Sequence, residues 1–337
     1  MTRYFPLLRK RLPGIFMAVF LLAAPWRGYG DEKAGEALSA GLFNKVRAAT
    51  VDVLVEDHLN GSGWFVDPQG WLFTAAHMID GPKSRVEVIS PTIGRRAAKV
   101  VAVDLGHDLA LLRVEPREGG YPALPLAKDV PPAGEAVYLV ATPMYQHGVL
   151  LQGMMAGDAP TFAYYSPAYV EVVQVAGTVQ AGTSGGPWFN RKGEVIGQQA
   201  GVMSMNDIPI GVVDMSPVAA VRALWTNKKT TATPMLGAGV DEIWQLDRDF
   251  LRHFPPRTEG LVVTALEKHK PAKRAGLKEL DLIVAVDEQP VRETGQLVRL
   301  VLRKQPGQSV KLTVLRPDGG GRRDITVTLG KLEADWP

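Results

Sequence analysis

The sequence contains no cysteine. Disulfide staples, a thiolate nucleophile and thiolate metal centres are therefore excluded, and the 337 residues must hold their shape by burying apolar surface. That length suffices for two hydrophobic cores. Histidine is scarce, with six in the chain, and no His/Asp/Glu cluster or glycine-rich phosphate loop is recognisable, so no metal and no cofactor are expected. Aromatics make up 7% of the residues and are not interleaved with a basic stripe, which argues against a nucleic-acid partner. Lys268-His269-Lys270 and Arg322-Arg323 are short runs of solvated loop charge.

No apolar run approaches the roughly 20 residues of a spanning helix. The longest candidate, Gly14 to Ala24, sits in a segment 1–30 that holds Arg3, Arg9, Lys10, Arg11 and Arg27 and no acid. This pattern reads as a secretory signal peptide cleaved near Gly30, with an uncleaved membrane anchor as the alternative. Removing it leaves 33 basic against 35 acidic residues, so the excess of positive charge belongs to the leader.

The most informative stretch is Val179-Gln180-Ala181-Gly182-Thr183-Ser184-Gly185-Gly186-Pro187-Trp188-Phe189. A serine among glycines is a nucleophile turn when a base and its orienting carboxylate accompany it. Upstream, Phe73-Thr74-Ala75-Ala76-His77 ends an apolar strand and Asp108-Leu109-Ala110-Leu111-Leu112 opens another. The order His77, Asp108, Ser184 is that of double-barrel serine proteases, and differs from the subtilisin and α/β-hydrolase orders. His77 would be the general base, Asp108 would fix its tautomer, and the N–H groups of Gly182 and Ser184 would form the oxyanion hole.

The remaining histidines, His58, His107, His147, His253 and His269, lack a small-small-His turn after a strand and are read as surface or structural. His107 adjoins Asp108, but strand neighbours face opposite sides. Asp104 is the rival carboxylate. It is set aside because the apolar run begins directly after Asp108.

With these motifs, Gly61-Ser62-Gly63-Trp64-Phe65-Val66-Asp67-Pro68-Gln69-Gly70 and Gly193-Glu194-Val195-Ile196-Gly197, the chain resembles the HtrA/Deg family of exported serine proteases from about residue 40 to its end. Thr183 stands where family members usually carry Asn. It cannot form the ion pair with a new N-terminus that digestive relatives use for activation. The resemblance implies a periplasmic, cofactor-free endopeptidase acting on polypeptides. It also implies a homotrimer, with Phe43 as a contact.

Short apolar strands alternate with Gly/Pro turns from Val51 to Asp214, a mostly β pattern that suggests two six-stranded antiparallel barrels over 31–225. A polar run, 226–234, reads as a linker. Residues 235–332 then show strands around a helical stretch, Thr294 to Arg303, similar to an α+β PDZ domain. By that match Leu236-Gly237-Ala238-Gly239 would hold the carboxylate of a C-terminal peptide added as a strand. Leu297 would line the groove or pack the core, and Leu300 and Val301 are assigned to the core.

By family correspondence Gln199-Ala200-Gly201-Val202 would pair with substrate backbone, with Val202 near the first specificity pocket. Six residues before Ser184 stands Thr178 and no acid, which points to a small or medium apolar substrate side chain. The segment from Gln146 to Pro167 is either a regulatory loop or an ordinary connection. Two other readings remain open at this stage: a chaperone-like or peptide-binding protein that rarely cleaves, and a membrane-anchored signalling protease.

Overall fold

A computed structural model describes residues 38–79, 81, 84–165, 167–205, 208–317 and 321–333. The expected signal segment at 1–30 lies outside the described residues. Strands β1 (Thr50–Val55), β2 (His58–Phe65), β3 (Trp71–Ala75), β4 (Val86–Ser90), β5 (Gly94–Asp104) and β6 (Leu109–Val114) close a barrel in the order β1-β2-β3-β6-β5-β4. Alternation explains the closure: Val51, Val53 and Val55 of β1 point inward onto Phe65, Leu72 and Leu112, while Asp52 and Leu54 point out.

Seven more strands follow: β7 (Ala136–Ala141), β8 (Val149–Met155), β9 (Thr161–Tyr165), β10 (Ala168–Ala176), β11 (Pro187–Phe189), β12 (Val195–Met205) and β13 (Ile208–Pro217). Their order is β13-β12-β11-β7-β8-β10-β9, and β13 also pairs with β10. Six strands thus form the second barrel, as expected, and β9 is an addition hung on the outer end of β10. The Gln146 to Pro167 segment is therefore ordered strand and turn for much of its length. Val137, Leu139, Val175, Trp188, Ile196 and Met215 fill this barrel.

Two helices that the strand pattern did not announce, α1 (Ala40–Ala49) and α2 (Val218–Asn227), help join the barrels. Val46 of α1 and Val221 and Leu224 of α2 share a core with Trp64 and Phe73 of the first barrel and Tyr138 and Phe189 of the second. Phe43 packs against the same core beneath the Arg47 guanidinium.

Beyond α2 the chain stays attached to the barrels, with the Thr231 N–H donating to Val103 O at 2.9 Å. The C-terminal part then holds a two-stranded sheet, β14 (Pro234–Met235) with β21 (Gly330–Lys331), and a six-stranded sheet made of β15 (Ala238–Glu242), β16 (Leu261–Leu266), β17 (Leu282–Val286), β18 (Gln289–Pro290), β19 (Ser309–Leu315) and β20 (Arg322–Thr328). Strand order is β15-β16-β17-β19-β20, β18 pairs with β17, and β14 pairs with β21. The sheet is packed by α4 (Pro271–Arg274) and α5 (Thr294–Leu302), after the short α3 (Arg248–Leu251). Leu297 and Val301 of α5 are core side chains here, and Leu300 packs against them.

Candidate active site

β3 ends in Ala75 and a single 3-10 turn carries His77 out of the first barrel. Asp108 opens β6 in a left-handed conformation (φ 54°), which aspartate tolerates better than most residues. The two are fixed twice over. The His77 N–H donates to Asp108 Oδ1 at 2.9 Å, and His77 Nδ1 lies 2.7 Å from Asp108 Oδ2. On the other side of the ring, Nε2 lies 3.2 Å from Ser184 Oγ. Burial alone would depress the His77 pKa, but the charge of Asp108 and its hydrogen bond outweigh this and raise it above 6.5. The geometry brings all three sequence-predicted side chains into one hydrogen-bonded line across the two barrels.

The turn that carries Ser184 is shaped by β2. The Ser62 N–H donates to Ser184 O at 2.9 Å, and Ser62 Oγ donates to Gly182 O at 3.0 Å while accepting from the Thr142 N–H. With their carbonyls held this way, the N–H groups of Gly182 and Ser184 have no acceptor among the described residues. Two free donors flanking a serine are what an oxyanion requires. Glycine is needed here for a local reason: Gly185 has φ +82°, and a Cβ on it would lie 2.2 Å from Ser62 O. Thr183 is buried, and its hydroxyl donates to Gln180 O within the turn. Ser62 escaped the reading by sequence; the glycines Gly61 and Gly63 around it were the available signal of close packing.

Asp104, the rival carboxylate, faces elsewhere. Its Oδ2 lies 3.0 Å from His107 Nδ1 and its Oδ1 accepts from the Gly106 N–H. His147, read as structural, pairs through Nδ1 with Asp52 Oδ2 at 2.6 Å, and Asp52 also accepts from the Thr142 hydroxyl. That pair anchors the loop whose Thr142 packs on Gly182.

Of the expected substrate edge, Gln199 is committed internally. Its N–H donates to Gly186 O, its O accepts from the Gly185 N–H, and its amide bonds the Trp188 indole and Gly201 O. β11 ends opposite Gln198, so from Ala200 to Val202 the edge of β12 facing away from β13 has no strand partner among the described residues. Val202 packs toward the barrel core, and Gly201 faces the other side.

In the C-terminal sheet, Leu236 and Ala238 are buried, Gly237 adopts φ +76° and Gly239 lies against Tyr164. The free edge of β15 is not empty. Tyr169 of β10 accepts from the Val240 N–H at 2.9 Å and donates to Val240 O at 3.3 Å. Arg299 of α5 lies over the Phe162 ring of β9.

Residues 61–197 match the trypsin-like peptidase domain family, and residues 234–329 match the PDZ domain family. A probable periplasmic serine endoprotease, DegP-like, of Halomonas elongata is 29% identical over 82% of this chain and 56% of its own length. The corresponding protein of Hahella chejuensis is 28% identical over 83% of this chain and 59% of its own. A putative serine protease HhoA of Synechocystis is 29% identical over 81% and 71%. The chain thus spans little more than half the length of the first two relatives. Among solved structures, an HtrA-type protease AlgW with decapeptide superposes with TM-score 0.61 at 19% identity, covering 87% of this chain and 98% of that one. The serine endoprotease from Yersinia pestis gives 0.57 at 20%, over 87% and 97%. At such identities these structures establish the fold.

Proposed function

We propose that this chain, a trypsin-like peptidase domain joined to a PDZ domain and related to the HtrA/DegP proteins, is an exported serine endopeptidase whose activity is governed by C-terminal peptides at the PDZ domain. The observation that carries the reading is the line Asp108–His77–Ser184, with contacts of 2.7 and 3.2 Å. Ser184 Oγ attacks the substrate carbonyl as His77 Nε2 takes its proton. The oxyanion is received by the Gly182 and Ser184 N–H groups, each such donor contributing roughly 3–4 kcal/mol in the transition state. His77 returns the proton to the leaving amine, and water repeats the sequence on the acyl-enzyme.

Regulation is supported by the β9–β10 hairpin. Tyr169 occupies the β15 edge that a peptide strand would add to, and Tyr165 of the same hairpin reaches Asp214 beside β12. A peptide carboxylate held at Leu236-Gly237-Ala238-Gly239 has to displace Tyr169. Export rests on the composition of residues 1–30 and on relatives named periplasmic; no helix among the described residues is long and apolar enough to cross a membrane. The homotrimer rests on family resemblance alone. Labelling with a fluorophosphonate probe tests the reading: Ser184 should be modified without prior N-terminal cleavage, and casein hydrolysis should disappear in Ser184→Ala. An unlabelled Ser184 with no hydrolysis would favour the chaperone-like reading instead.

A further inference from the structure

Asp214 lies on β13 opposite Gly201 of β12 on one side and Gln174 of β10 on the other. Its neighbours Val213 and Met215 point into the second barrel, so alternation turns Asp214 outward. An outward carboxylate normally meets water, yet Asp214 is 2% exposed. Its cover is Tyr165, whose hydroxyl donates to Asp214 Oδ2 at 2.7 Å. A Cβ on Gly201 would lie 1.8 Å from that hydroxyl oxygen, so the tyrosine tip fills a hollow that exists because residue 201 is glycine. Asp214 Oδ1 is buried without a hydrogen-bond partner among the described residues. The same holds for the buried Ser216 Oγ, two residues on and on the same face.

This hollow adjoins the nucleophile. Gly185 and Gly186, directly after Ser184, bond the backbone of Gln199. Gly201 is two residues, roughly 7 Å, further along β12, where the strand's open edge begins. Burying a carboxylate costs several kcal/mol unless donors satisfy it, and one hydroxyl leaves half of it unserved. Tyr165 itself is 39% exposed, so its tip can be withdrawn without unpacking a core.

Resting on the reading of Ser184 as nucleophile, we propose that Asp214 is the specificity carboxylate of the primary pocket, so that cleavage follows Lys or Arg, whose cation displaces the Tyr165 hydroxyl. A guanidinium or ammonium offers charge-assisted donors to both carboxylate oxygens and to Ser216, where tyrosine offers one neutral donor. Burial raises the Asp214 pKa, against the opposing pull of the Tyr165 hydroxyl and, more distantly, the Gln174 amide. Thr178, the uncharged position behind the expected small or medium apolar substrate side chain, is exposed. The acid comes from the cross-strand partner of Gly201 instead.

Two measurements on the intact chain test this. The first is kcat/KM on peptides differing only at the residue before the cut, with Ser184 titrated by fluorophosphonate. Lys or Arg should exceed Val or Ala by about 100-fold or more, and Asp214→Asn should erase the preference. The second is calorimetric binding of benzamidine to Ser184→Ala, which should vanish in Ser184→Ala/Asp214→Asn and tighten in Ser184→Ala/Tyr165→Phe. A labelled enzyme that cleaves after Val or Ala in preference to Arg overturns the proposal and leaves the protease reading intact. Asp214-dependent benzamidine binding in a protein that neither labels nor cleaves supports the pocket and rejects the protease reading. Absence of both benzamidine binding and a cationic preference rejects the pocket without reliance on any variant's folding.

Discussion

At the residue scale, His77 is balanced between burial, which disfavours its charged form, and Asp108, which favours it more strongly. With the neutral ring as the proposed base, kcat/KM should rise with pH through a half-point above 6.5. Asp108→Asn removes the raising influence; the half-point should fall and kcat should drop on the order of 10⁴, the loss seen in the type enzyme of this arrangement. A pH profile without a histidine limb would remove His77 from the mechanism. Alanine at Ser184 or at His77 should each cost several orders of magnitude, and the double variant should cost little more, because the pair acts as a unit. Multiplicative losses would mean independent roles.

His107 gives a stability test separate from catalysis. Burial pushes it down, but the hydrogen bonds and charges of Asp104 and Glu171 hold it at about 9. A raised pKa favours the fold wherever His107 is protonated in the native state, so the contribution is full below about 6.5 and is lost as pH climbs through about 9. Asp104→Asn should flatten that decline, removing roughly 1–3 kcal/mol at neutral pH. Urea midpoints at pH 6 and 9.5 for both proteins measure it, and kcat should stay near the parent value. A dead Asp104→Asn beside an active Asp108→Asn would exchange the roles assigned to the two acids.

At the scale of elements, what was legible followed from periodicity. β6 and β7 are legible because their apolar runs, Leu109–Val114 and Ala136–Ala141, end at charge or at Gly/Pro turns. α1 and α2 were not, since each buries only part of one face in a core assembled from both barrels. β9 escaped because it lies outside the closed barrel with half-exposed residues, so no burial pattern marks it. Ser184, His77 and Asp108 stood out because local motifs carry them. Ser62, Asp214 and Tyr165 act through contacts across strands 49 to 120 residues apart, which leave no local signature. The β9–β10 hairpin also carries a prediction. Tyr169→Phe deletes both hydrogen bonds to Val240, and a C-terminal peptide no longer competes with them, so its affinity should rise roughly five-fold, near 1 kcal/mol. Titration with a free-acid peptide and its amide checks this. Unchanged acid affinity would mean that the peptide uses another edge, and equal affinity for acid and amide would exclude carboxylate capture.

At the scale of the whole molecule, the cores divide unevenly. Among the described residues, the clusters inside and between the barrels contain none beyond α2, and the large C-terminal core takes a single barrel-side partner, Tyr169. The two parts also meet in a small cluster, Leu105 and Ala168 against Met235 and Leu332, and where Tyr164 lies on Gly239 and Arg299 over Phe162. Removing residues from 234 onward should therefore leave folded barrels. The exposed cluster and the lost Tyr169 bonds should cost roughly 2 kcal/mol, or about 4–8 °C in Tm for a domain of this size. Calorimetry of the shortened chain against its full-length parent measures the loss, and failure to refold would show that the C-terminal sheet is an obligatory part of the fold. The same truncation bears on the hairpin. Without Val240 to hold Tyr169, and without Arg299 over Phe162, Tyr165 should leave Asp214 more readily. Benzamidine should then bind the truncated Ser184→Ala protein more tightly than its full-length counterpart. Weaker or equal binding would mean that the hairpin is held by its own strand pairing with β10 and takes no instruction from the C-terminal sheet.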